Sequence, residues 1–512
     1  MDKELVKYII HRILAGESDI EKIKAEASHK YGSSSIIRNT EIISNFPKSK
    51  LTRELFLLLK RKPMRTLSGV TPIAVMIKPQ GSCRWGCIYC PFTGKAAKSY
   101  TGEEPAALRA RDNDFDPSKQ VLSRIKQFEI NFHPTDKCEV IVMGGTFLAM
   151  DKKYKHYFIK SIYDSLNSKN SKNIIAAKRL NEKSRHRMVG LTIETRPDVC
   201  KKSEIEEMLE FGTTRVELGV QHPSNLSYKL TKRGHTVKDV SDSTELLKNS
   251  CFKILYHIMP GLPGSNPKKD VRMVKKLFED QRFKPDMLKI YPTLVMPNTP
   301  LYDLTKKGEF EPYDSETASE VISEFYRYIP KYVRVMRIQR DIPATKIHKG
   351  VKKSNLREIV EAKIKQKRFP IKEIRFREIG LNLAKLDSTF GLQTFAYSAS
   401  KGKEFFLSYE NSKFIAGFLR LRIPGGKIIN PLIDHQTALI RELHVYGAEA
   451  QLSSSGMVQH KGIGSKLLLE AERIAKEDFG MKKATIISGS GVRPYYYKKG
   501  YSLTEPYVSK SL

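Results

Sequence analysis

The stretch "GSCRWGCIYCPFTG" (residues 81–94) gathers Cys83, Cys87 and Cys90, half of the chain's six cysteines, beside Trp85, its single tryptophan. A closed zinc site takes four ligands. A Cys-x3-Cys-x2-Cys loop instead wraps three thiolates around three corners of a cubane iron–sulfur cluster and leaves the fourth iron open to a substrate. The competing assignment is a zinc site completed by a distant His133, Cys138 or Cys200. Six cysteines in 512 residues form no disulfide framework, so a tight cluster of them points to metal or redox chemistry.

Working outward, the cluster follows the apolar run "PIAVMIKP" (72–79). Six further runs of strand length come after it: "EVIVMGGT" (139–146), "VGLTIETRP" (189–197), "TRVELGVQ" (214–221), "KILYHIMPGLPG" (253–264), "MLKIYPTLV" (287–295) and "VRVMRIQR" (333–340). Each is rich in β-branched residues and is followed by helix-compatible sequence, which predicts repeated βα units around a parallel sheet or partial barrel. Chemistry in such folds gathers at the C-terminal ends of the strands, where the cysteines stand. Four regions are expected: a helical, basic module over 1–70, the βα core over 71–340, a basic connector over 341–370, and an α/β unit over 371–512. The last has strands and hairpins, then the long helix "GIGSKLLLEAERIAKEDFG", the strand "KKATIISG" and the aromatic segment "RPYYYKKGY" (493–501).

Lys and Arg outnumber Asp and Glu by 90 to 56, a net charge of +34 that favours a polyanionic partner, nucleic acid first. A lysine-rich chain with solvated faces would show the same composition. The N-terminal helix carries charges throughout, unlike a signal peptide, and no stretch approaches the ~20 apolar residues of a membrane span. The expectation is a soluble, cytoplasmic protein without a membrane partner.

The cysteine spacing, with Tyr89 before the last thiol, resembles the radical S-adenosylmethionine (SAM) superfamily, in which the open iron of a 4Fe–4S cluster chelates SAM. That resemblance implies that Cys83, Cys87 and Cys90 hold the cluster and that Trp85 and Tyr89 pack around it. "MGGT" (143–146) matches the glycine-rich motif for the methionine end of SAM, implicating Gly144, Gly145 and Thr146. Glu194, Arg196 and Gln221, at later strand ends, become candidates for the ribose and adenine, with barrel-lining side chains as the alternative. In the last region "QHKGIG" (459–464) resembles the pyrophosphate loop of the GCN5-related N-acetyltransferase (GNAT) fold. Gln459, Lys461, Gly462 and Gly464 would bind acetyl-CoA there, helped by backbone N–H groups and a helix N-terminus. Tyr495 and Tyr496 are candidate proton donors, with packing as the alternative. Glu442 in "IRELHVYG" is a candidate base, equally well structural.

Together these features, with "SYTGEEPAALRAR", "GLTIETRPD", "RGHT", "LKIYPTLV", "RIQRDIPA", "RFREIG" and "RELHVYG", are similar to the catalytic subunit of Elongator over nearly the whole chain. The resemblance implies a radical SAM partial (β/α) barrel followed by a GNAT domain. It implies carboxymethylation of the tRNA wobble uridine: a radical derived from SAM abstracts hydrogen from the acetyl-CoA methyl, the new carbon radical adds to uracil C5, and thioester hydrolysis leaves the acid. Lys289 and Tyr291 become candidate catalytic contacts, with core packing as the alternative. Expected partners are tRNA, through its anticodon stem-loop and body, an electron donor, and accessory subunits or a second copy. Basic segments at 57–65, 228–235 and 352–378 would track phosphates. The family's usual zinc cysteine before "IRFREIG" is missing, leaving the rigidity of the domain junction to other contacts. The runner-up function is lysine acetylation of proteins, with the radical SAM half merely structural.

Overall fold

The computed structural model describes residues 2–33, 37–47, 49–59, 69–79, 85–380, 389–446 and 462–512. The seven apolar runs become β1 (Val70–Met76), β2 (Lys137–Met143), β3 (Arg187–Thr195), β4 (Arg215–Gln221), β5 (Lys253–Ile258), β6 (Met287–Ile290) and β7 (Arg334–Ile338). They pair in chain order, all parallel, with β1 and β7 as open edges: a partial barrel, as expected. Strand periodicity explains the two faces. Cys138, Val140 and Val142 of β2 are fully buried on one side, while Glu139, Ile141 and Met143 alternate with them at intermediate burial. On β4 the same alternation separates Val216, Leu218 and Val220 from Arg215, Glu217, Gly219 and Gln221, so the polar set shares one side of the strand. Crossover helices start on side-chain caps that satisfy their first N–H groups. Asp151 accepts from Tyr154 N, Thr236 from Asp239 N and Asn266 from Lys269 N.

The N-terminal helices Asp2–Leu14, Ile20–Tyr31, Asn39–Asn45 and Arg53–Leu59 close on their own core of Leu5, Ile9, Ile13, Ile23 and Ile42, against which Phe132 packs. Within 341–370 the chain forms the helix Leu356–Lys367. Its Lys363 and Lys367 pair with Glu316, Glu320 and Glu324 along the helix Ser315–Phe325.

A second seven-stranded sheet follows: β8 (Gly391–Ala399), β9 (Gly402–Glu410), β10 (Ile415–Ile423), β11 (Thr437–Val445), β12 (Lys483–Ile486), β13 (Ser502–Thr504) and β14 (Tyr507–Ser511). Its spatial order is β13-β14-β12-β11-β10-β9-β8, and the β11–β12 contact is parallel whereas the others are antiparallel. β11 and β12 pair only over Thr437–Ile440 and Lys483–Ile486. Beyond that point β11 runs on to Val445 while the other chain turns into the short helices Ser490–Val492 and Arg493–Tyr497. The mixed sheet, the splayed strands and the helix Ile463–Arg473 agree with the expected GNAT-like unit.

The second sheet is bound to the foot of the barrel by buried charges. Arg441 donates 2.7 Å hydrogen bonds to both carboxylate oxygens of Asp286, and a third of 2.7 Å to Glu404. Arg422 adds 2.8 Å to Glu404 and 2.7 Å to Asn249 Oδ1, while Lys248 Nζ lies 3.3 Å from Glu404. Asp286 also accepts from Ile254 N at 2.8 Å, fixing it to β5. Beside them, the Tyr332 and Tyr397 rings stack at 4.1 Å. Gly489 sits so close to β3 that an added Cβ would lie 2.4 Å from Val189 backbone.

Removing one member of such a network leaves the others buried and unpaired. Asp286→Asn is expected to lower the unfolding free energy by about 3–5 kcal/mol, read as an earlier urea midpoint. A second expectation concerns Glu373, fully buried, whose carboxyl accepts from Val335 N and Phe376 N. Burial, opposed by those N–H groups and Arg334, pushes its carboxyl up from 4.5 to about 7. The folded protein thus keeps a proton that the unfolded chain releases, so this contribution is complete below the unfolded value and is lost as pH rises through the folded one. Between about pH 5 and about pH 8, Glu373→Gln should gain on the order of 2 kcal/mol over the wild type, measured as the difference between their urea unfolding curves.

Candidate active site

The loop after β1 brings Cys87 and Cys90 to the C-terminal end of the barrel. Ile88 N donates to Thr231 O at 3.1 Å and Cys90 N to Cys87 O at 3.1 Å, which tie the loop down. Cys83 lies outside the described residues. Two guanidiniums face the Cys87 sulfur: Arg233 Nη1 at 3.4 Å and Arg196 Nη1 at 3.7 Å. Burial pushes the Cys87 thiol up, but the charges and hydrogen bonds of Arg233 and Arg196 outweigh it, and the net shift is downward, toward thiolate. Cys138 and Cys200 behave oppositely. Burial pushes Cys138 up to about 12 and Cys200 higher still, and Cys138 donates to Thr135 O at 3.3 Å at the other end of the strands. These are thiols in a core, which disfavours the zinc alternative that used them.

A cavity of about 150 Å³ opens beside the thiols, lined by strand-end residues of β2 to β6 and the loop after β7. Gly145, Thr146, Glu194, Arg196 and Gln221 all line it. Gly144 supports them from behind: at φ +134° its Cα faces Ile77, where a Cβ would come within 2.4 Å of Cγ1. Arg196 differs from its expected part at the ribose or adenine. It is clamped on Asp198 at 2.9 and 3.2 Å, lies 4.0 Å over the Trp85 ring and points its remaining N–H groups at Cys87 and Arg233 O. Trp85 therefore carries Arg196, and Tyr89, half-buried with its hydroxyl out of contact with solvent, lines the cavity beside the thiols.

The deeper half of the cavity is charged. Glu217 Oε2 accepts from His257 Nε2 at 2.7 Å and from Lys289 Nζ, which also lies 3.9 Å from Glu194. Glu194 accepts from Tyr100 Oη at 2.9 Å. The Tyr291 ring meets His257 edge-on at 5.4 Å, and the Arg340 guanidinium caps Tyr100 and Tyr291 at 5.4 and 6.0 Å. Burial alone would raise the Glu217 carboxyl, yet Lys289, His257 and Arg215 bring it well below the usual carboxylate range. Lys289 and Tyr291 thus line the cavity, as their strand phase predicts.

The acetyltransferase candidates lie on the other face of the junction. Gly462, with φ +71°, caps the helix Ile463–Arg473; Gln459 and Lys461 lie outside the described residues. A Cβ on Gly464 would come 3.1 Å from Tyr495 Oη, placing that hydroxyl at the helix N-terminus. Tyr495 is 37% exposed, whereas Tyr496, at 5%, is packed against Tyr501 and belongs to the core. Glu442 accepts from Arg420 Nε at 2.7 Å, and despite burial its carboxyl is held low by Arg420, so it is a structural ion-pair partner and a poor base.

A parallel partial barrel with a cysteine loop after its first strand and a glycine-rich end on its second defines a radical SAM protein. Residues 77–277 match the Radical SAM superfamily, 285–366 the Radical_SAM C-terminal domain and 2–67 the ELP3 N-terminal domain. A protein of Methanocaldococcus jannaschii named tRNA uridine(34) acetyltransferase is 45% identical over 99% of this chain and 98% of its own. The human Elongator complex protein 3 is 38% identical over 99% and 96%. The solved structure of archaeal Methanocaldococcus infernus Elp3, lacking residues 1–46, has 44% identity and a TM-score of 0.78, covering 87% of this chain and 99% of that one. The chain belongs to the Elongator protein 3 (Elp3) family.

Its class uses a 4Fe–4S cluster and SAM, and the residues present fit both. The donors are sulfur, the Cys87 thiol is shifted toward thiolate, and Gly145 lines the cavity where no side chain fits, a Cβ there lying 2.9 Å from Lys98 O. Sequence reasoning missed Arg233, Tyr100, Arg337 and Arg340 as cavity residues; "RGHT" carries Arg233, but no spacing rule marks it. Glu217 and His257 were visible only as members of strand-end phrases. Because Arg233 favours the Cys87 thiolate, Arg233→Gln should weaken iron retention against a chelator by about 10–100-fold, with the fold unchanged by circular dichroism.

Proposed function

We propose that this protein modifies uridine 34 of tRNA with an acetyl-CoA-derived carbon, leaving a carboxymethyl group at C5. The observation that carries the reading is one body in which a SAM-type cavity and an acetyltransferase sheet share a rigid junction, in a chain whose relatives are named tRNA uridine(34) acetyltransferase. When bound, the cluster and SAM supply a carbon radical able to take hydrogen from an unactivated methyl group. The chain's own residues do the rest. Cys83, Cys87 and Cys90 hold the cluster, with Arg233 and Arg196 balancing the charge at Cys87. Gly144, Gly145, Thr146, Glu194 and Gln221 cradle SAM. Gln459, Lys461, Gly462 and Gly464 hold the CoA pyrophosphate, and Tyr495 reaches the thioester. Lys289 and Tyr291 contact the substrate.

In domain terms, 1–70 is a tRNA-binding module, 71–340 the radical SAM core, 341–370 a basic connector and 371–512 the acetyltransferase unit. Lys352, Lys353, Lys365, Arg368, Lys372 and Arg375 are each exposed and available to phosphates. The segment 228–235 contributes less than its composition promised: only Lys229 and Lys232 are exposed among its cations, while Arg233 is committed to Cys87. No helix among the described residues is long and apolar enough to cross a membrane. An electron donor is required, and accessory subunits or a second copy would extend the tRNA surface. Protein acetylation with a merely structural barrel is disfavoured, because a structural domain has no use for a guanidinium-backed thiol beside a charged cavity.

The test is anaerobic reconstitution with iron and sulfide, incubation with SAM, acetyl-CoA and tRNA, and mass spectrometry of the wobble nucleoside. 5-Carboxymethyluridine is expected from the wild type and none from Cys87→Ala. Unmodified uridine under conditions that cleave SAM refutes the function.

A further inference from the structure

We propose that His257 is the general base that hydrolyses the thioester inside the barrel cavity, with Glu217 as its positioning residue. The assignment rests on the function proposed above. That function brings the methyl carbon of the acetyl group into this cavity, so the thioester carbonyl, one bond away, is there too. It must later be cut by water.

Among the described residues lining the cavity, His257 is the sole imidazole. The acids around it are engaged: Glu194 by Tyr100, Glu217 by His257 and Lys289, Asp341 by Arg337 at 2.8 Å, and Glu104 by the backbone N–H groups of Thr101 and Gly102. His257 is placed from two sides, by the 2.7 Å contact of Nε2 with Glu217 and by the Tyr291 ring edge-on at 5.4 Å. Glu217 is itself 1% exposed and held ionised by Lys289. A carboxylate can only accept at Nε2, so Nε2 carries a proton and the neutral form of the ring has its lone pair at Nδ1. Among the described residues Nδ1 has no hydrogen-bond partner. The arrangement is a carboxylate-oriented imidazole, a pairing suited to activating water.

The step balances without an oxidant or reductant. The water oxygen bonds to the carbonyl carbon while its proton passes to His257 Nδ1. The tetrahedral adduct then breaks its C–S bond, and the CoA sulfur leaves with the proton that His257 returns. The products are the free thiol and a carboxylic acid that ionises to carboxylate and a proton.

The experiment uses the full-length, cluster-reconstituted protein with SAM, acetyl-CoA and tRNA. His257→Gln should form the free acid about 10²–10⁴-fold more slowly per SAM cleaved. Uridine bearing the CoA thioester should accumulate, trapped by hydroxylamine as the hydroxamate and identified by mass, and added imidazole should restore acid formation. Glu217→Gln should act in the same direction to a smaller degree. A readout independent of turnover is the ¹⁵N spectrum of histidine-labelled apoprotein: His257 should be protonated at Nε2 in the wild type and lose that preference in Glu217→Gln. Free acid formed by His257→Gln at the wild-type rate overturns the assignment. So does a variant that cleaves SAM but yields neither adduct nor acid, and so does a wild-type His257 protonated at Nδ1. If the wild type cleaves SAM and leaves uridine unchanged, the proposed function falls first and this step falls with it.

Discussion

Arg441 grips both oxygens of Asp286 across the boundary between the two sheets, and the rest of the molecule is organised about that contact. Asp286 is the residue before β6 and also receives the Ile254 N–H of β5, so a charge on the second sheet is bonded into the hydrogen-bond pattern of the barrel. Arg420, Arg422, Lys248 and Glu404 extend the cluster without reaching solvent. Burying so many ions costs desolvation, and replacing them with apolar residues is often neutral or stabilising in other proteins. What ions impose and apolar contacts do not is orientation. Here the relative placement of two reaction sites is the property held constant.

The barrel was legible because its strands are buried on the helix side and carry a β-branched pattern that survives without any alignment: "TRVELGVQ" became β4 within one residue of its expected bounds, and "EVIVMGGT" supplied β2, which begins at Lys137 and stops at Met143, before the glycines. The mixed sheet was legible from its hairpins and from the glycine loop that opens a long helix. The site was legible only where residue type and spacing encode chemistry, as in the cysteine loop. Arg233 and Arg340 were not, since each reaches the cavity from a loop whose course depends on tertiary packing. Arg196 shows the limit from the other side. Its strand-end position was read correctly, but the neighbouring Asp198 and the Trp85 ring decide where it points, and no local pattern carries that. Tyr495 and Tyr496 stand adjacent in sequence and differ sevenfold in exposure because the helix that holds them turns one ring inward.

Along the interior of the barrel the charges alternate. Glu139 meets Arg215, Arg215 lies 3.6 Å from Glu217, and Glu217 meets Lys289 and His257 below Glu194. Glu139, Arg215, Glu217 and Lys289 keep one another ionised, so burial, which would neutralise any one of them alone, instead yields a column of fixed charge. A preorganised column of this kind reorganises little when charge develops in a reaction beside it.

The lowest rung of that column has a further consequence. Arg215 and Glu139 are bonded to each other between the cavity and the β11 face, and neither lines the cavity. They act as a bulkhead. With it in place the charged column is closed from below, and the groups open to a ligand are those that line the cavity at the strand ends, Glu194, Glu217, His257 and Lys289.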